Sequence, residues 1–110
     1  MLSSAFAQDW TLHSKITWVE VTHMPNTLVF RLKTPPPASA NCITDADGTW
    51  VIYEAYFQPP ADSASRQQNV KSAYALVISA KTIDANIIVA GWNRGVKRTD
   101  HCTVGQLYLE

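Results

Sequence analysis

The stretch QQNVKSAYALVISAKTIDANIIVAGW, residues 67–92, decides the fold because its hydrophobic period changes part-way along. In its first part apolar side chains recur every three to four residues, which predicts an amphipathic helix of about 18 residues. Its last part, residues 87–92, is a short β-branched run that stops at a glycine and a tryptophan, as is typical of a strand. The sequence therefore predicts one helix leading directly into one strand. The predicted apolar stripe of the helix comprises Val70, Ala73, Tyr74, Val77, Ala80 and Lys81, and Ile78 and Ile83 widen it.

Four further segments have strand patterns. Residues 14–22 alternate between two faces, one with Ile16, Trp18 and Glu20 and the other with Thr17, Val19 and Val21. Residues 27–33 follow a short turn and are predicted to pair with them as a hairpin, with Leu28, Phe30 and Leu32 inward and Val29, Arg31 and Lys33 outward. Residues 49–57 are apolar or aromatic on both faces, which predicts a central strand or one that faces a partner. Residues 103–110 form the last predicted strand, in which Gly105 marks a bend or a bulge.

The resulting element order is β-β-β-α-β-β. It predicts a mainly β protein with one helix, built as a five-stranded OB-fold-like barrel, which is a small Greek-key barrel. In this arrangement the helix closes one end of the barrel, and the strand that follows it re-enters the sheet beside that end. The alternative is an α+β sheet with one helix packed on a face.

Length and composition limit the class of protein. A chain of 110 residues, 46% apolar and 16% charged, suits a single domain, predicted over residues 8–110. Nine basic residues balance nine acidic ones, so no overall field favours nucleic-acid binding, and no apolar run has the length of a membrane span. Residues 1–7 end in an A-x-A pattern typical of signal-peptidase cleavage, so we interpret them as a signal-peptide remnant or a start placed near that site; the alternative is an ordinary frayed terminus.

The two cysteines of the chain, Cys42 and Cys102, both lie close to the start of a predicted strand. A disulfide between them would tie the last strand to the middle of the chain. Neither has a second Cys or His at metal-ligand spacing, so no metal site is predicted. A disulfide and a cleavage pattern together favour an exported protein, periplasmic or secreted.

The sequence carries no pattern typical of catalysis. His13, His23 and His101 lie on different predicted elements, and neither a G-x-S-x-G elbow nor a glycine-rich phosphate loop occurs. We therefore expect no catalytic residue, no cofactor and no enzymatic activity.

One predicted loop has the composition of a binding site. It joins the last two strands over residues 93–102, is polar and basic, and has a tryptophan at its root. An indole can stack on a sugar ring, and guanidinium groups can pair with a carboxylate or phosphate. The alternative is a solvated loop beside a core tryptophan, and Trp50 and Tyr53 are interpreted as core. The predicted ligand-binding residues are Trp92, Asn93, Arg94, Lys97 and Arg98.

Residues 40–109 resemble the B subunits of bacterial five-subunit-ring toxins, of the subtilase-cytotoxin and typhoid-toxin type. The matching pieces are Cys42 with Trp50, SAYALVISA (72–80), NIIVAGW (86–92) and CTVGQLYL (102–109). The resemblance implies an OB-fold, a homopentamer and binding of host sialylated glycans. The chain departs from the family in having a single cysteine pair, and no site residue can be carried over.

The favoured function is an exported, non-catalytic binding module that recognises a glycan or a protein, with a homo-oligomer left open. The alternative is a periplasmic structural or inhibitory protein that docks a partner protein through the apolar face of the third predicted strand. Single-stranded nucleic acid is the least favoured ligand, because binders of that class usually carry a basic groove.

Overall fold

The computed structural model describes residues 9–43, 48–53, 63–93, 98 and 100–110. Within these residues the chain forms six strands, one α-helix and a short 3-10 turn at Ala38–Ala40. Residues 1–7, interpreted above as a signal-peptide remnant, lie outside the described residues. The elements are β1 (Trp10–Ser14), β2 (Ile16–Glu20), β3 (Leu28–Leu32), β4 (Thr49–Tyr53), α1 (Ser63–Thr82), β5 (Ile87–Trp92) and β6 (Cys102–Leu109).

All six strands belong to one mixed sheet in the order β1-β5-β6-β4-β3-β2. The pairs are antiparallel except β4–β6, which is parallel. The two strands at the ends of this order, β1 and β2, are consecutive in the chain and are separated by Lys15 alone. One continuous stretch of about ten residues, bent at Lys15, therefore supplies both edges of the sheet.

The prediction of a mainly β protein with one helix is confirmed, whereas the five-stranded barrel is not. The sheet has six described strands and is not closed by pairing between β1 and β2. The first predicted strand, residues 14–22, corresponds to β2, whereas the separate strand β1 before it was not predicted. Ser14 stabilises the break between β1 and β2. Its buried hydroxyl accepts a hydrogen bond from the Thr34 N–H at 3.0 Å and donates one to the Lys15 carbonyl at 2.9 Å.

The core lies between the sheet and the helix. Phe30, Leu28 and Leu32 of β3 are fully buried and pack with Val51 of β4. Most of the predicted helical stripe is confirmed, since Val70, Ala73, Val77 and Ala80 belong to the same core and Tyr74 packs against it. Lys81 and Ile83, which were predicted on the same stripe, are exposed, because they lie at the end of the helix and just beyond it. The helix contacts β2, β3 and β6, which is the arrangement expected for one helix packed on a sheet face.

A left-handed residue ends the helix and starts the turn into β5. Asp84 has φ 56°, and the N–H of Ala85 donates to the Ala80 carbonyl at 2.9 Å while that of Asp84 donates to the Lys81 carbonyl at 3.2 Å. This is the hydrogen-bond pattern of a Schellman cap. The Asp84 carboxylate also accepts from the Lys15 ammonium at 2.8 Å, so the end of the helix is fastened to the bend between β1 and β2.

We expect Asp84→Asn to lower the melting temperature slightly at pH 7 and to have no effect at acidic pH. The hydrogen bond from Lys15 and its positive charge hold the pKa of Asp84 below its ordinary value. A carboxyl with a lowered folded-state pKa contributes stability above its unfolded pKa, and this contribution disappears as the pH falls through the folded value. Thermal unfolding of both chains at pH 7 and at a pH well below the lowered pKa of Asp84 checks this. An equal difference at both pH values would contradict it, and Lys15→Met should reproduce the Asp84→Asn profile.

The predicted disulfide is confirmed: Cys42 and Cys102 are bonded, with Cα atoms 5.0 Å apart. Both cysteines are buried. The bond attaches the segment before β4 to the first residue of β6. Among the described helices, none is both long and apolar enough to cross a membrane.

Candidate functional site

A row of four side chains crosses the outer face of the sheet, opposite the helix. In the strand register Trp18 of β2 pairs with Arg31 of β3, and Arg31 pairs with Trp50 of β4. His101 precedes β6 by one residue and extends the same row, because the next pair along is Val51 with Cys102. We call Trp18, Arg31, Trp50 and His101 the aromatic row.

The side chains of the aromatic row contact one another around Trp50. The Arg31 guanidinium carbon lies 5.4 Å from the centroid of the Trp50 ring, within the range of a cation–π interaction. The His101 ring stacks on Trp50 with centroids 5.8 Å apart and an interplanar angle of 27°. Trp18 meets Trp50 edge to face, with centroids 6.5 Å apart and an angle of 68°. Trp50 and its neighbours therefore form one continuous aromatic and cationic surface.

A β-bulge directs Trp18 to the outer face. Ile16 pairs with Leu32 and Trp18 pairs with Arg31, so β2 has one residue more than β3 between these pairs. As a result Ile16 is 7% exposed on the core side, whereas Trp18 is 54% exposed on the outer side. Thr17, the additional residue, donates its hydroxyl to the Arg31 carbonyl at 3.3 Å. Bulges commonly redirect a side chain in this way next to functional sites.

The outer face continues next to the aromatic row. The register aligns Val29 of β3, Ile52 of β4, Thr103 of β6 and Trp92 of β5 in a second row, two residues along each strand. Val29 is buried but does not belong to the core cluster, as expected for a residue on the opposite side of the sheet. The predicted site residue Trp92 thus lies on the same face as the aromatic row, with Thr103 between them.

Gly105 is the bulge predicted from the sequence. Ala90 pairs with Gln106 and Gly91 with Val104, which leaves Gly105 without a ladder partner. The Trp92 ring occupies the space that a Cβ at this position would need, so any residue other than glycine would require the ring to move. The bulge on β6 therefore positions the Trp92 indole against the sheet.

We expect Gly105→Ala to destabilise the protein by about 1–3 kcal/mol, as overpacking at a well-filled site does. The added methyl group meets carbons Cζ3 and Cη2 of Trp92. Urea denaturation of Gly105→Ala, of Trp92→Ala and of the double variant checks this as a double-mutant cycle. The two substitutions should couple, since removing the indole removes the clash. Additive effects would contradict the contact.

The structure describes two of the remaining predicted loop residues, Asn93 and Arg98. The Asn93 N–H donates to the Asp9 carboxylate at 2.8 Å, and its side-chain amide donates to the Ser39 carbonyl at 2.9 Å, so Asn93 holds together three distant segments. Arg98 is exposed in a turn. Arg94 and Lys97 lie outside the described residues. That this loop binds a ligand therefore stays a prediction. Its described part directly follows Trp92, which lies on the outer face of the sheet.

A cleft of about 220 Å³ lies on the helix side of the sheet, away from the aromatic row. Tyr53 lines it, and burial raises the pKa of the Tyr53 hydroxyl. Across the described ranges, no three His, Cys, Asp or Glu side chains lie close enough together to hold a metal ion. The other residues that line the cleft are Asn69, Ser72, Ala73, Leu76 and Leu107.

Searches against protein-family models, curated proteins and solved structures give no match to this chain. The functional interpretation therefore starts from the aromatic row itself. Three of its members, Trp18, Arg31 and His101, were not among the predicted site residues, and Trp50 was interpreted as core.

Proposed function

We propose that this chain is an exported, non-catalytic binding module that recognises carbohydrate through the aromatic row. The observation that carries the proposal is the exposed indole of Trp18, 54% accessible, beside Trp50 and Arg31 on an outer sheet face. Tryptophan and tyrosine provide rigid apolar surface, and a contiguous apolar patch exposed to water, as Trp18 forms with Trp50, is typical of a binding surface. The apolar face of a pyranose ring can cover the Trp18 indole, and Arg31 can donate to its oxygens.

The strand connectivity supports an OB-type interpretation of the fold. β1 and β2 are consecutive in the chain but lie at opposite ends of the strand order. In addition, β4 and β6 are parallel, and the helix lies between β4 and β5 in the chain. We propose that β1 and β2 act together as the bent first strand of an OB-type barrel. OB-folds bind oligosaccharides and oligonucleotides on the face of their second and third strands. With β1 and β2 counted as one, that face is formed by β3 and β4, which carry Arg31 and Trp50.

The Cys42–Cys102 disulfide supports export, because disulfides persist mainly in oxidising compartments. A homo-oligomer, as implied by the resemblance to ring-forming toxin B subunits, would present several aromatic rows together. Linked sites bind a multivalent surface far more tightly than one site does. Light scattering coupled to size exclusion measures the native mass and tests this part of the proposal.

The experiment that tests carbohydrate recognition compares three chains on a glycan array and then by calorimetry with the glycans retained. Wild type should bind at least one glycan saturably, and Trp18→Ala should weaken that binding about tenfold or more, since it removes a large stacking surface. Val21→Ala is the matched control, because Val21 is 55% exposed just after β2 but is not part of the aromatic row. It should bind like wild type.

Two outcomes would contradict the proposal. One is the absence of any retained glycan, and the other is an equal loss in Trp18→Ala and Val21→Ala. Binding of single-stranded DNA that collapses with salt would instead point to a nucleic-acid binder.

A periplasmic structural or inhibitory role is the second candidate, in which a partner protein docks on the outer face of β4. The apolar side chain of Ile52, which is half-buried on that face, favours it. Ile52→Asp separates the two candidates, because it should abolish a stoichiometric protein complex but leave glycan binding at Trp18 intact.

A further inference from the structure

We infer that residues 42 and 43 position His101 in the aromatic row, through the Cys42–Cys102 disulfide and one backbone hydrogen bond, so that the recognition surface is complete only in the oxidised chain. The inference rests on the proposed function for its consequence in binding. Its structural part concerns only how one imidazole is held against one indole.

The segment around His101 is held on both sides by the same short stretch. Cys102, which follows His101 directly, is fully buried and bonded to Cys42. Asp100, which precedes His101, accepts a hydrogen bond at its carbonyl from the N–H of Ile43 at 2.9 Å. Residues 42 and 43 therefore fix the backbone immediately before and immediately after His101.

His101 needs this support more than the other members of the row. Trp18, Arg31 and Trp50 lie inside paired strands, where ladder hydrogen bonds fix their backbone. His101 lies one residue before β6, and the pairing with β4 begins at Cys102. Because its backbone precedes the ladder, the stacking of its ring on Trp50 depends on the attachments at residues 100 and 102.

The redox state of Cys42 and Cys102 determines whether His101 is held in the aromatic row. Forming the disulfide removes two thiol hydrogens, joins the two sulfurs, and passes two electrons and two protons to a disulfide-type oxidant, which becomes a dithiol. In the reduced chain Trp18, Arg31 and Trp50 keep their strand positions, but the segment that carries His101 loses its covalent attachment to Cys42 and keeps the Ile43 hydrogen bond and the pairing of β6 with β4 that begins at Cys102. Recognition by the full row would then begin after export to an oxidising compartment.

The test uses the imidazole NMR signals of His101, which need no ligand. The chain has three histidines, and His13 and His23 are exposed on other elements, so they serve as internal references. Stacking on Trp50 should shift the His101 ring protons upfield of both references in wild type. Trp50→Ala should abolish this shift and thereby assign it. Cys42→Ala/Cys102→Ala should abolish it as well, while circular dichroism shows that the chain remains folded.

A second pair of variants keeps the inference testable if the cysteine-free chain unfolds. Ile43→Pro removes the N–H that donates to Asp100 but retains the disulfide, and Ile43→Ala retains both. The His101 shift should decrease in Ile43→Pro and remain in Ile43→Ala. A full upfield shift in the folded cysteine-free chain, or in Ile43→Pro, would overturn the inference.

Glycan binding provides the second readout and separates the two proposals. Because aromatic pairs contribute modestly beyond area burial, losing the His101 contact should weaken binding about two- to tenfold, without abolishing it. If wild type binds no glycan but its His101 shift depends on residues 42 and 43, the proposed function is contradicted and the inferred positioning of His101 is confirmed. If wild type binds a glycan but the shift is independent of these residues, only the inferred positioning of His101 is contradicted.

Discussion

Replacing Cys42 and Cys102 together by alanine is expected to lower the free energy of unfolding by about 4 kcal/mol. The bond joins positions 60 residues apart, and closing a loop of that size restricts the unfolded chain by about this amount on the chain-entropy account. A domain of this length has a total stability of only about 5–15 kcal/mol, so the variant should unfold at a much lower urea concentration than wild type.

Reductant supplies the control for this result. It should lower the unfolding midpoint of wild type towards that of the cysteine-free variant and leave the variant itself unchanged. If reductant frees both thiols of wild type but leaves its unfolding midpoint unchanged, the disulfide contributes little to stability.

Phe30→Ala is expected to destabilise the protein by about 3–5 kcal/mol, because it removes a large side chain from the centre of the core and leaves a cavity. Phe30 is fully buried and lies between Val19 of β2 and Val51 of β4 in the register. Chemical denaturation measures the loss. Leu109→Ala is the matched control, since Leu109 is exposed near the end of β6 and should change stability by about 0.5 kcal/mol or less.

Comparison with the neighbouring Arg31→Ala separates stability from recognition. Phe30 and Arg31 are adjacent on β3 and face opposite sides of the sheet. Arg31→Ala should weaken ligand binding with a smaller effect on unfolding than Phe30→Ala. Equal losses of stability in the two variants would contradict the assignment of Phe30 to the core side and Arg31 to the outer side.

The helix and the strand that follows it were predictable from the sequence. They lie in one stretch whose apolar spacing changes from three or four residues to a β-branched run, and a helix and a strand occur there as predicted. The disulfide followed from the positions of the two cysteines near strand starts. Gly105 was recognisable as a bulge because glycine inside a strand has few other uses.

The parts that were missed depend on partners far away in the sequence. β1 is defined by its pairing with β5, and its end is held by the bond between Ser14 and Thr34, which no local alternation encodes. Trp18 was predicted on the same face as Ile16, because a two-residue period cannot show the bulge that separates them. Arg31 was correctly predicted to point outward, but its contact with Trp50 follows only from the β3–β4 register.

The bend at Lys15 also determines the order in which this chain can fold. β2, β3 and β4 pair with near neighbours in the sequence and can associate early, whereas β1 must wait for β5, about 80 residues later. Contacts of such high sequence separation slow folding and form late. A chain that emerges from its N-terminus during synthesis therefore cannot complete its sheet until nearly all of it has emerged, so β1 stays without its partner strand for most of that time.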